Sequence, residues 1–161
     1  MIGRFKLILA NVIAFWVHRK DRYGKHRYYS YHLIGVDRML KSNLHRFGIK
    51  EGSNIYWQLR VIAVLHDAVE DHDLSLRLIQ RIFGFEVAAA LDAISKRKGE
   101  TREEYITRVQ SNRLACVVKY YDSLFNFMSC RDDKDGERSL LYYKQAEQCV
   151  AKANEFFGIL S

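Results

Sequence analysis

Apolar residues recur along the chain at helical spacing in seven stretches, 2–18, 31–45, 54–67, 75–83, 85–95, 102–129 and 138–157. Leu33, Val36, Met39 and Leu40 illustrate the pattern, three or four residues apart and so on one face of a helix. Strict alternation of apolar and polar positions is missing, and no segment predicts a strand. Thr101-Arg102-Glu103-Glu104 has the residues of a capping box, and Gly24, Gly48, Gly52, Gly99 and Gly136 mark turns between the stretches. Arg131 to Arg138 is dominated by charge and predicts a solvated loop before the last helix. The pattern contains no repeat, low-complexity tract or linker. It predicts an all-α protein with one compact helical bundle over residues 1–161.

Composition agrees with a folded core: 161 residues, 48% hydrophobic, suit one domain and exclude a disordered chain. The first stretch, Leu7 to Val17 behind Arg4 and Lys6, superficially resembles a signal peptide. It lacks a following small-residue cleavage site and is shorter than the roughly 20 apolar residues that span a bilayer, so it is expected to be a packed first helix. The formal charge of +7 implies an anionic partner, whether a polyphosphorylated nucleotide, a nucleic acid or an acidic membrane surface. Cys116, Cys130 and Cys149 are odd in number and lack Cys-x-x-Cys spacing, which suggests neither a disulfide framework nor a thiolate zinc site and points to a cytoplasmic compartment.

The candidate chemistry is concentrated at the end of one apolar run, Val61 to Leu65, where His66-Asp67 is followed by Glu70-Asp71. His66 and Glu70, and Asp67 and Asp71, are four apart, so in a continuous helix the quartet faces one cleft. Read alone, the quartet is equally an acidic helix end facing solvent. Two further segments favour chemistry. His32, after Tyr28-Tyr29-Ser30-Tyr31, offers another imidazole. Asp122 and Asn126 are one turn apart in a Val-, Leu-, Tyr- and Phe-rich run, where a carboxylate is costly unless paired, hydrogen-bonded or bound to metal.

His32, His66-Asp67 and Asp122 together have the H…HD…D pattern of the HD-domain metal-dependent phosphohydrolases. Leu65-His66-Asp67-Ala68-Val69-Glu70-Asp71, Phe83-Gly84-Phe85-Glu86-Val87, Ala93-Ile94-Ser95-Lys96 and Lys119 to Asn126 narrow this, and closely resemble the hydrolase domain of RelA/SpoT homologues and small alarmone hydrolases. The similarity runs from about His18 to Asn126. It implies an HD-domain bundle that hydrolyses the 3′-pyrophosphate of guanosine tetra- and pentaphosphate (ppGpp, pppGpp), without the synthetase and regulatory regions of the long homologues. It implies His32, His66, Asp67 and Asp122 as metal ligands, Glu70 and Asp71 as the catalytic carboxylates, and Asn126 at the ribose.

Two imidazoles and two carboxylates suit a divalent transition ion such as Mn²⁺. Arg22, within the basic stretch His18 to Arg27, is the best candidate to contact base or phosphates, although a solvated basic loop is the plain alternative. Lys119 either neutralises phosphate or braces the site. Tyr28, Tyr29 and Tyr31 can stack a purine or simply pack, and His45 and His72 can be extra ligands but occupy no matched position and are expected to be surface or structural.

The sequence departs from the family pattern in three places. Leu33 follows the first histidine where proline is usual, His72 stands where threonine is usual after Glu-Asp, and the arginine expected soon after Asn126 is displaced to Arg131. These leave the metal set intact and bear on the substrate. The alternative is an HD phosphohydrolase acting on another nucleotide, an adenosine alarmone or a nucleoside monophosphate. A basic nucleic-acid-binding module has no need of such acids and imidazoles, so the expected partner is a nucleotide, with no nucleic acid and no membrane; the oligomeric state is left open.

Overall fold

The computed structural model describes residues 2–132 and 136–159. Its helices are α1 (Ile2–Val17), α2 (Ile34–Asn43), α3 (Asn54–Leu65), α4 (Ala68–His72), α5 (Leu76–Phe83), α6 (Phe85–Ile94), α7 (Arg102–Gln110), α8 (Arg113–Asp132) and α9 (Gly136–Phe157). A π-helical turn, Tyr29–Leu33, leads into α2, and a 3₁₀ turn, Leu44–Phe47, follows it. The architecture is all-α, as the periodicity predicts. The only strands among the described residues are β1 (Arg22–Tyr23) and β2 (His26–Arg27), a two-residue antiparallel ribbon around Gly24. The sequence reading missed it, because two residues are too few to show an alternating pattern. Gly24, at φ +56°, supplies the left-handed conformation that closes the ribbon.

α3 forms the centre. Leu59 and the unbroken run Val61 to Leu65 are buried, because α1, α2, α6 and α8 all pack around it. Ser53 caps its start, accepting from the Tyr56 amide. Asp37 of α2 and Arg60 of α3 form a forked ion pair, with Oδ1 to Nε 2.9 Å and Oδ2 to Nη2 2.6 Å, which fixes the two helices in register. α2 also packs on α8, and Gly35 is the point of closest approach. A Cβ there would lie 2.3 Å from Phe125 Cε2, so only glycine lets the ring sit down on the helix. α8 and α9 pair along their length and close the far side.

Three expected boundaries differ. The 54–67 stretch breaks after Leu65: His66 and Asp67 form a turn, and α4 starts afresh at Ala68. The 102–129 stretch divides into α7 and α8, because Asn112 Oδ1 accepts from the amides of Leu114 and Ala115 and starts a new helix. The charged 131–138 segment is not one long loop. Arg131 and Asp132 end α8, Gly136 to Arg138 begin α9 so that Gly136 is a helix start, and Asp133, Lys134 and Asp135 lie outside the described residues. The capping box forms as expected, with Thr101 Oγ1 accepting from the Glu104 amide and Glu104 Oε2 from the Thr101 amide.

Candidate functional site

Three parts of the chain bring their polar side chains to one place beside the α3–α4 break. His32 comes from the π-helical turn, His66 and Asp67 from the break itself, and Asp122 from the middle of α8. His32, His66 and Asp122 are buried among core residues, yet their ligand-type atoms all lie within 4.8 Å of one another. His32 Nε2 and His66 Nε2 are 3.3 and 3.5 Å from Asp122 Oδ1. Asp67 Oδ2 is 2.9 Å from His66 Nε2 and 3.5 Å from His32 Nε2. The Nε2 atoms of the two imidazoles are 3.3 Å apart. This set of two imidazoles and two carboxylates, all buried except half-buried Asp67, has the donor types of a transition-metal site, and a divalent cation would resolve the crowding of its lone pairs.

Each group is held from behind. His66 Nδ1 donates to the Ala63 carbonyl at 2.8 Å, which leaves Nε2 facing the acids. Lys119 Nζ pairs with Asp122 Oδ2 at 2.7 Å and so turns Oδ1 toward the histidines, while Asn126 Nδ2 also donates to Oδ1 at 2.8 Å. Tyr28 Oη donates to Asp67 Oδ2 at 2.5 Å. Tyr23 stacks on His32, with centroids 5.1 Å apart and planes within 6°, and its Oη donates to Asn126 Oδ1 at 2.8 Å.

The electrostatics follow from burial opposed by neighbours. Burial alone lowers the His32 and His66 pKa values, but Asp67 and Asp122 outweigh it and both are raised, His66 strongly. Burial would raise Asp122, yet the Lys119 charge and the two imidazoles hold it well below the ordinary carboxylate range. Glu70 and Asp71 move the other way. Burial, reinforced by the negative charge of Asp67, raises both.

This cluster forms the floor of a cleft of about 570 Å³. Glu70 and Asp71 line it beside Asp67, and the Lys96 amide donates to Glu70 Oε2 at 2.6 Å. The break in the helix changes one expectation: three members of the quartet line the cleft, whereas His66 turns inward behind the floor. Arg22, Lys96, Arg102 and Arg138 also line the cleft and Lys119 lies against Asp122 at its floor, so five cations accompany four carboxylates, Asp67, Glu70, Asp71 and Asp122. Of the expected aromatic residues, only Tyr28 lines the cleft. Tyr29 donates to Asn11 Oδ1, and Tyr31 stacks on His26. His45 is exposed.

Sequence reasoning passed over Tyr23, Lys96, Arg102 and Tyr105. They come from three separate parts of the chain, Tyr23 from β1, Lys96 from the loop after α6, and Arg102 and Tyr105 from α7, and the only local sign is the Ser95-Lys96 match in the resemblance. Arg102 stands out because its Nη1 is buried and has no hydrogen-bond partner among the described residues.

The fold is an all-α bundle, and its cleft is floored by a His/Asp cluster. No family model and no curated protein matches the chain by sequence. Among solved structures, a metazoan orthologue of SpoT, described as hydrolysing ppGpp and having a role in starvation responses, superposes with a TM-score of 0.68 at 23% identity, over 96% of this chain and 97% of that one. The chain therefore shares that protein's fold along nearly its whole length. Among the described residues, no helix is long and apolar enough to cross a membrane.

Proposed function

We propose that the chain is a metal-dependent phosphohydrolase that removes the 3′-pyrophosphate of guanosine tetra- or pentaphosphate, giving GDP or GTP and pyrophosphate. The observation that carries the reading is the pairing of a floor built from buried His32, His66 and Asp122 and half-buried Asp67 with a cation-rich lining in one cleft. The likeness to a structure described as a ppGpp hydrolase supplies the substrate class.

In this reading His32, His66, Asp67 and Asp122 hold a divalent ion, Mn²⁺ by preference, and the donor set fits it. When bound, that ion would supply a water of lowered pKa and polarise the phosphoryl group whose phosphorus is attacked. The residues of the chain do the rest. Asp122 receives Lys119 on Oδ2 and keeps Oδ1 for the ion, so Lys119 braces the floor rather than binding phosphate. Glu70 and Asp71, with raised pKa values, take the proton of the attacking water and return one to the departing 3′ oxygen. The bond broken joins that oxygen to phosphorus, the bond formed joins phosphorus to the water oxygen, and no other reactant is required.

Arg22 and Arg102 neutralise the phosphates, whose charge the net +7 of the chain also attracts. Asn126 meets the ribose by exchanging its Tyr23 partner for a sugar hydroxyl, which frees the Tyr23 ring to stack on the base. The test is product analysis: pyrophosphate and GDP from guanosine tetraphosphate support the assignment, whereas orthophosphate from a nucleoside monophosphate moves it to a nucleotidase.

A further inference from the structure

A second group of metal-ligating side chains lies on the outer side of the same wall, apart from the floor just described. His18 follows the end of α1, Asp21 sits in the turn after it, and His72 is the last residue of α4. Asp21 Oδ2 is 2.8 Å from His18 Nδ1 and 2.5 Å from His72 Nε2, and all three ligand atoms lie within 4.8 Å of one another. The two imidazoles meet edge to face with centroids 4.7 Å apart. His18 is 1% exposed, whereas the side chains of Asp21 and His72 are each 31% exposed. One face of the cluster is thus anchored in the core and the other is open to water.

We propose that His18, Asp21 and His72 form a second divalent-metal site, of the two-imidazole, one-carboxylate type that takes Zn²⁺, with water completing the coordination. A single carboxylate oxygen placed between two ring nitrogens is the arrangement a metal-free site adopts when protons stand where the ion would. Zinc binds imidazole nitrogen and carboxylate oxygen at about 2.0–2.2 Å, so tetrahedral ligands lie roughly 3.4 Å apart. The two contacts to Asp21 must therefore open by about 0.6–0.9 Å, small enough for side-chain rotation in an exposed turn and at a helix end.

The burial of His18 favours the neutral, metal-binding imidazole, since desolvation lowers its pKa despite the hydrogen bond to Asp21. Bound through Nδ1, His18 carries its proton on Nε2, which has no acceptor among the described residues. That weakens the site relative to the floor, so it should fill second.

The consequence of occupancy is mechanical. The ion pins the 18–21 turn to α4, and that turn leads directly into Arg22 and Tyr23 of the cleft wall. Tyr28 links the two sites, stacking on His18 at 5.2 Å while its hydroxyl donates to Asp67.

The experiment is metal counting on the full chain, stripped with chelator and dialysed against Zn²⁺, with Co²⁺ absorption as a second reading of the ligand field. Wild type should bind two equivalents in sequence, and His72→Ala and Asp21→Asn one each. His66→Ala should lose the first-filling equivalent and keep the second. Circular dichroism verifies that each variant is folded. A wild-type stoichiometry that is unchanged in both folded His72→Ala and Asp21→Asn, whether one equivalent or two, overturns the site, whereas a single equivalent lost in both variants and kept in His66→Ala supports it and contradicts the floor instead.

Discussion

Replacing Lys119 by methionine isolates the electrostatics of the floor. The substitution keeps the length of the side chain and removes the only lysine or arginine paired with Asp122 among the described residues, at 2.7 Å, in a place where the two side chains are 13% and 4% exposed. Removing one partner of a buried pair costs about 3–5 kcal/mol, because the other charge is left behind. Here the remaining groups soften the loss. Asn126 still donates at 2.8 Å, and His32 and His66, with raised pKa values, stand 3.3 and 3.5 Å away. About 2–3 kcal/mol is therefore expected, or a fall in Tm of about 4–12 °C for a domain of this size. The assay is thermal unfolding by circular dichroism in chelator. Adding Mn²⁺ at about 100 times its Kd contributes about 2.7 kcal/mol to a folded-state site and should restore most of the loss. A fall below about 2 °C in chelator would refute the view that Asp122 is a buried charge held by Lys119.

Other perturbations follow from the same geometry. Asp67→Ala should lose bound Mn²⁺ and activity together, whereas Glu70→Gln should keep the metal, by mass spectrometry, and lose about 10²–10⁴-fold in kcat. Arg102→Ala removes a cleft cation whose buried Nη1 has no hydrogen-bond partner among the described residues, and should raise KM for a polyphosphorylated nucleotide far more than it lowers kcat, as steady-state kinetics would show. Gly35→Ala drives a methyl group to 2.3 Å from Phe125 and should cost about 1–3 kcal/mol, read as a lower denaturant midpoint.

The Glu100–Arg108 clamp predicts a pH effect. The Arg108 hydrogen bond lowers Glu100 from 4.5 to about 2, so its stabilisation is present above 4.5 and is lost as pH falls toward 2. Arg108→Ala should flatten that part of the pH profile of Tm. Arg108 also donates to the carbonyls of Asp92, Ala93 and Ser95, next to the Lys96 amide that holds Glu70, so the variant should slow turnover as well.

The helical class is legible because apolar spacing reports burial directly, and α1, α5 and α6 stand close to their expected stretches. The breaks were less legible. Leu65 to His72 keeps helical periodicity across the turn at His66-Asp67, and the turn depends on how α4 meets the rest of the fold rather than on a glycine or proline. Asn112 breaks the 102–129 run through a side-chain cap, a signal the apolar pattern does not carry.

At the site, His32, His66, Asp67 and Asp122 are readable as chemistry because acids and imidazoles inside apolar runs demand partners. Arg102, Tyr23 and Tyr105 give no such sign, since a basic or aromatic residue near a helix start or in a turn has many ordinary uses. His72 occupies no position matched in the resemblance, so the sequence favours a surface or structural role over a ligand. Asp21, its partner, is 51 residues away and becomes visible only when α1 packs beside α4.

The most direct test of the central claim is chromatography of guanosine tetraphosphate incubated with the Mn²⁺-loaded protein, with and without chelator. The account predicts chelator-sensitive conversion to GDP with one pyrophosphate released per turnover. Unchanged guanosine tetraphosphate in the presence of folded protein with Mn²⁺ bound at the floor would contradict it.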